Sequence, residues 1–103
     1  MFLINPFLFV SGGGGGGTGG YNVSGPADAA GFYAEDGLYD GKMSYKVGSL
    51  YIWWFSSGGW FISSAKGDTG SALYFISSSD ATPPLSGWSV AGGTGPAPTL
   101  TAA

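Results

Sequence analysis

The stretch LYIWWFSSGGWFI, residues 50–62, decides the fold of this chain. Successive side chains of a strand point to opposite faces. In the first half of this stretch, one face therefore carries Tyr51, Trp53 and Phe55, and the other face carries Leu50, Ile52 and Trp54. Both faces are apolar. The run of aromatic and β-branched residues favours a strand over a helix. We predict a strand covered on both faces, a turn at residues 56–59 and a returning strand at residues 60–62.

The composition limits which partners and which chemistry the chain can use. Its 103 residues are enough for one small domain, with three lysines, six acidic residues and a net charge of −3. Without a basic cluster, neither nucleic acid nor an anionic membrane surface is expected as a partner. The sequence has no cysteine and no histidine, so we expect no disulfide, no metal site and no cofactor.

The balance between burial and chain entropy is narrow for a domain of this size. Aromatic residues make up 17% of the chain and bury much surface, but its 21 glycines lose extra entropy on ordering. Small domains without disulfides or metals bury too little surface for high stability. We therefore expect association with copies of the same chain or with a larger assembly.

Residues 1–10, MFLINPFLFV, are apolar but lack the basic region and cleavage site of a signal peptide. The segment is too short to span a bilayer, and Pro6 interrupts it. It could form a strand on the domain's own core, dock on a partner subunit or contact a membrane. The layout suits docking, because exposed apolar groups mark interfaces. The candidate docking residues are Phe2, Leu3, Ile4, Phe7, Leu8 and Phe9.

Residues 11–20, SGGGGGGTGG, read as a flexible linker. A phosphate-binding loop would need a following Gly-Lys-Ser or Gly-Lys-Thr, which is missing. The predicted organisation is a docking peptide at residues 1–10, a linker at 11–20 and a module at 21–103.

The module shows short strand patterns separated by Gly, Asp and Ser, with no helical periodicity of useful length. Asp40-Gly41 is a hairpin-turn signal. We predict an all-β fold: a small antiparallel meander, sandwich or barrel-like module. The predicted strands are residues 21–23, 31–34, 38–39, 42–47, 50–55, 60–63, 72–77, 88–90 and 99–101.

No stretch carries recognisable reaction chemistry. Glu35, Asp36 and Asp40 lie close in sequence, but nothing marks one of them as a desolvated acid, so turn and surface roles are expected. The serines have no histidine to activate them, and no calcium-loop pattern occurs.

The tryptophans admit two interpretations. Flat indole rings can stack on sugars, which makes Trp53, Trp54, Trp60 and Trp88 candidates for glycan binding. The sequence shows no evident set of polar partners for sugar hydroxyls, and this favours packing in the core.

A resemblance begins at a pattern of spaced glycines and tyrosines, namely Gly31, Tyr33, Gly37, Tyr39, Gly41, Lys42 and Tyr45. It continues through YIWWFSSGGWFIS, LYFISSSD, TPPLSGWSV and PAPTL. Together these motifs resemble a short aromatic β-module that recurs in phage structural proteins and in environmental bacterial and algal surface proteins. The likeness covers residues 21–100. Met43 departs from it, because the module often has proline after the lysine.

The resemblance implies a structural or adhesive module without enzymatic activity. A lone module behind an apolar peptide and a glycine linker looks like a small phage virion protein, of the capsid-decoration or tail-fibre type. We therefore expect a non-enzymatic virion protein whose partners are other virion proteins. The alternative is a glycan-binding adhesion module, extracellular or on a cell surface.

Overall fold

The predicted all-β class is confirmed by a computed structural model that describes residues 19–103. Eight antiparallel strands form one curled sheet, and the described residues include a short 3-10 turn, Thr69–Ser71, but no α-helix. The strands are β1 (Gly20–Ser24), β2 (Gly31–Tyr39), β3 (Lys42–Val47), β4 (Leu50–Phe55), β5 (Gly59–Ser63), β6 (Ala72–Ile76), β7 (Ser89–Val90) and β8 (Thr99–Ala102).

The sheet is a meander with one departure from chain order. Its spatial order is β7-β6-β5-β4-β3-β2-β1-β8, so the first seven strands lie side by side in chain order. The last strand, β8, crosses to the far edge and pairs with β1. The hairpin predicted around residues 56–59 is therefore β4–β5, near the middle of the sheet.

One strand prediction was wrong. Residues 31–34 and 38–39 are parts of a single strand, β2, whose pairing with β3 shifts between Glu35 and Leu38. Gly37 has a φ of +92° there, and its carbonyl accepts a hydrogen bond from the Ser44 hydroxyl at 2.7 Å. The acids and the glycine thus form a bulge that bends the strand without ending it.

The concave face of the sheet holds the main core. Tyr21 pairs across the strands with Tyr33, and Ile52 with Ile62, so large side chains meet directly on this face. Buried members of the cluster come from most strands and from the loops: Tyr21, Val23, Ala29, Tyr33, Tyr45, Ile52, Trp60, Ile62, Tyr74, Trp88 and Leu100.

The opposite face carries a second aromatic group centred on Trp53. The indole stacks on Phe61 with ring centroids 4.9 Å apart and meets the edge of Tyr39 at 5.5 Å. Its Nε1 donates to the Ser63 hydroxyl at 2.7 Å, and that hydroxyl donates to the Ala65 carbonyl. Trp53 and Ile52 are both 0% exposed, which confirms that β4 is covered on both faces.

A loop segment, not a strand pair, bridges the edges of the curled sheet. The two edge strands β7 and β8 are not paired with each other. The Leu85 carbonyl, between β6 and β7, accepts a hydrogen bond from the Leu100 amide at 2.9 Å. Trp88, predicted to open β7, lies just before it, buried, and donates to the Pro84 carbonyl. The segment therefore places the Trp88 indole between the two edge strands and covers part of an exposed sheet edge.

The predicted turn at Asp40-Gly41 is confirmed. The φ angles of the two residues are +53° and +90°, the type I′ pattern of two-residue hairpins. Glycine suits the second position of this turn, because a Cβ is penalised in the left-handed conformation that Gly41 adopts.

We predict that Trp53→Ala lowers the free energy of unfolding by about 3–5 kcal/mol, because it opens a cavity and leaves Ser63 without its donor. Phe55→Ala is the control, since Phe55 lies on the same face of the same strand but is 37% exposed. Urea denaturation of both variants checks this. Equal losses would mean that the Trp53 side chain is not part of a packed interior.

A second prediction concerns Gly59, where β5 begins with a φ of +133°. A Cβ there would overlap the Ile76 carbonyl oxygen and lie 3.0 Å from the Ser77 Cα. Gly41→Ala meets open space and should cost only backbone strain, about 1–2 kcal/mol. Gly59→Ala should cost clearly more, because β5 and β6 must separate. Thermal melting of the two variants compares them, and a smaller loss for Gly59→Ala would contradict the close approach.

Candidate functional site

The structure separates the four candidate tryptophans. Trp53, Trp60 and Trp88 are buried, so their rings offer no open face to a sugar. Trp54 is half-buried and lines a groove at the surface. Of the four indoles, this one is placed to contact a ligand.

The groove is a concave polar depression with a volume of about 400 Å³. One wall is the turn between β4 and β5, and the other is the segment that follows β6. Between them lies Trp54, near the end of β4. The lining consists of Trp54, Ser56, Ser57, Gly58, Gly59, Ser77, Ser78 and Ser79. We call it the serine groove.

Two indole N–H groups hold the segment after β6 in place. Trp54 Nε1 donates to the Ser78 carbonyl at 2.9 Å, and Trp60 Nε1 donates to the Asp80 carbonyl at 3.2 Å. The Asp80 amide donates to the Ser78 hydroxyl at 3.1 Å. These two tryptophans are cross-strand neighbours in the central hairpin, so the wall is fixed directly to the core.

The turn between β2 and β3 supports the other wall. The Asp40 carboxylate accepts a hydrogen bond from the Ser56 amide at 2.8 Å. The Lys42 ammonium lies 4.3 Å from the centroid of the Trp54 ring, in cation–π contact. Lys42 does not line the groove, so it supports the indole from outside.

The serine groove offers hydrogen bonding without charge. No ionisable side chain is among the lining residues. In the described part of the chain, the hydroxyls of Ser56, Ser57, Ser77 and Ser79 make no hydrogen bond to protein, so each is free to donate and accept. The arrangement suits recognition of a neutral polar molecule. Sequence reasoning missed it, because its walls are distant in sequence and come together through the pairing of β4, β5 and β6.

A second polar cluster connects three distant parts of the chain on the concave side. The Tyr74 hydroxyl donates to the Asp28 carboxylate and also lies 2.6 Å from the Thr94 carbonyl. The Thr94 amide donates to the other Asp28 oxygen at 3.1 Å. The Tyr33 hydroxyl donates to the Ala29 carbonyl at 2.7 Å. The cluster thus joins β2, β6 and two loops, and no local pattern signals it.

Hydrogen bonds and burial shift the ionisation of this cluster. The hydrogen bond from Tyr74, followed by those from Thr94, lowers the pKa of Asp28 below its usual 3.8 despite partial desolvation. Burial, followed by the bond to the Asp28 carboxylate, raises the pKa of Tyr74. Burial also raises the pKa of Tyr33, and it raises that of Tyr45 to about 12. Each shift favours the form that the fold holds at neutral pH, which indicates a structural role.

Two of the three acids singled out in the sequence, Asp36 and Asp40, have structural partners. Asp36 forms an ion pair with Lys66 at 2.9 Å, and this contact lowers the pKa of Asp36. Asp40 bonds the Ser56 amide. Among residues 19–103 no group of three or more His, Cys, Asp or Glu side chains could hold a metal ion.

The candidate docking residues at the N-terminus, Phe2 to Phe9, lie outside the described residues, so docking stays a prediction. Within the described range, no helix is both long and apolar enough to cross a membrane.

The low pKa of Asp28 predicts an acid-dependent loss of stability. A depressed pKa contributes stability above the unfolded value of 3.8, and this stability is lost as pH falls from there through the lower folded pKa. Asp28→Asn should lower the melting temperature at pH 7 and weaken its fall below pH 4. Tyr74→Phe should do the same, since Tyr74 is the main cause of the shift. Thermal melts between pH 2 and 7 measure this, and unchanged acid limbs in both variants would contradict it.

Comparison with protein-family models, with curated proteins and with solved structures finds no match to this chain.

Proposed function

We propose that this chain is a non-enzymatic structural protein of a phage virion that displays its β-module on the capsid or tail. The proposal starts from the resemblance carried by the glycine–tyrosine pattern and the aromatic hairpin. One structural observation supports it: the strand that directly follows the glycine linker is held on both sides.

That strand is β1, and it lies inside the sheet. It pairs with β2 through Tyr21 and Tyr33, and with β8 through Tyr21 and Ala102. Two further backbone bonds flank its start, because the Gly20 carbonyl accepts from the Ala103 amide at 3.1 Å and the Gly19 carbonyl accepts from the Glu35 amide at 2.8 Å. A load on the linker is therefore carried by hydrogen bonds on both sides of the strand. This is the attachment that a module displayed through its N-terminal segment needs.

The surface of the module supports the expected association with other subunits. Several large apolar side chains stay exposed in the described range: Phe32, Leu38, Phe55, Leu85 and Val90. Leu38 is the most exposed of these, at 71%, on the bulged strand. Single exposed apolar groups are common on soluble proteins, but a virion would cover them at contacts between copies.

The experiment that tests the proposal uses the full chain. The protein should co-sediment with purified particles of the phage whose genome encodes it. Replacing Phe7, Leu8 and Phe9 by serine should remove the protein from particles, because it removes half of the six candidate docking side chains. Deleting residues 1–10 should have the same effect.

The control is Ala81→Ser, an exposed position after β6 that is not among the module's exposed large apolar side chains. This variant should keep particle association, and circular dichroism should show the same fold for all forms. A protein absent from particles would overturn the virion proposal. Loss of folding in the variant with Phe7, Leu8 and Phe9 replaced by serine would show instead that the N-terminal segment is part of the module's core.

A further inference from the structure

We infer that the serine groove binds a neutral saccharide. The inference rests on the groove's lining and does not require the chain to be a virion protein. A displayed module with such a site could hold a particle or a cell to a glycan-coated surface.

The lining has the chemistry that a neutral sugar needs. A sugar ring has hydroxyls around its edge and a less polar face of C–H groups. The hydroxyls of Ser57 and Ser79 belong to opposite walls and make no hydrogen bond to protein within residues 19–103, so each can donate and accept. Trp54 lines the groove and supplies apolar indole surface for the C–H groups of the ring. Serine hydroxyls and an indole together match both parts of the ligand.

The charges around the groove disfavour an ionic ligand. An anion would be expected to find a cation or a helix N-terminus, but Lys42 already lies over the Trp54 ring and outside the lining. A cation would be expected to find carboxylates, but the Asp40 carboxylate already bonds the Ser56 amide, and neither Asp40 nor Asp80 lines the groove. A ligand that needs only hydrogen bonds and a ring contact remains.

The groove is also formed before any ligand arrives. The bonds from Trp54 and Trp60 fix one wall, and the bond to Asp40 fixes the other. Little conformational entropy is therefore lost when a ligand binds. Its volume of about 400 Å³ lies in the range of small-molecule sites. Because the groove is open, a monosaccharide should bind weakly, with a Kd of roughly 1 mM or above.

Nuclear magnetic resonance titration of the full chain tests this inference. The probes are methyl glycosides of neutral hexoses, of a pentose and of an N-acetylhexosamine, each added to roughly 50 mM, well above the expected Kd. With at least one of them, the indole N–H signal of Trp54 and the amides of Ser57 and Ser79 should shift in a saturable way. The indole N–H of Trp53, buried on the other face, should not move.

Paired variants then locate the site. The double substitution Ser57→Ala with Ser79→Ala should weaken binding about tenfold, as expected for two lost hydrogen bonds. The matched control, Ser49→Ala with Ser89→Ala, removes two exposed hydroxyls outside the groove and should leave the affinity unchanged.

Three results would overturn the inference. They are no saturable shift with any glycoside, shifts that centre on residues outside the groove, or equal affinity in the two double variants. The titration of the unmodified chain decides the matter even if a variant fails to fold. A negative result here leaves particle association untouched, and failure to associate with particles leaves the groove untouched.

Discussion

The packing of apolar side chains on both faces of the β4–β5 hairpin is the constraint on which the rest of the structure depends. Ile52 faces the concave core, and its neighbour Trp53 faces the aromatic group on the outer side, yet both are fully buried. A chain without disulfides and with 21 glycines has few other sources of stability. The hairpin supplies cross-strand pairs such as Trp54 with Trp60 at the middle of the sheet, where neighbouring strands can pack against both sides.

Glycines turn this hairpin into a curled sheet by permitting backbone geometry that other residues avoid. Gly37 lets β2 bulge and bend, and Gly59 lets β5 start against the end of β6. The curl brings β2 and β6 close although three strands lie between them in the sheet. Tyr33 and Tyr74 then reach the same loop, at Ala29 and Asp28. At the open side of the curled sheet, loop contacts and tyrosine hydroxyls thus hold the chain together, as strand pairing does elsewhere.

The features that could be predicted from the sequence are those that depend on interactions between residues close together in the chain. Alternation and turn residues are local, so β3 and β4 and the turn at Asp40-Gly41 could be placed closely. The bulge in β2 was read as a gap, because local acids and a glycine look alike in a bulge and in a loop. The bond between Asp28 and Tyr74 and the two walls of the serine groove depend on the order of strands in the sheet. No spacing within the sequence encodes that order.

The serine groove and the core share the same two indoles, and this limits which residues of the groove can change without loss of stability. Trp60 is fully buried in the core, yet its N–H holds the Asp80 carbonyl of the groove wall. Trp54 packs against the same core and lines the groove. Changes at these indoles must alter stability as well as any binding. The hydroxyls of Ser57 and Ser79 are free of that coupling, because they make no hydrogen bond to protein within residues 19–103. Ligand preference could therefore vary through these serines while the hairpin beneath them stays the same.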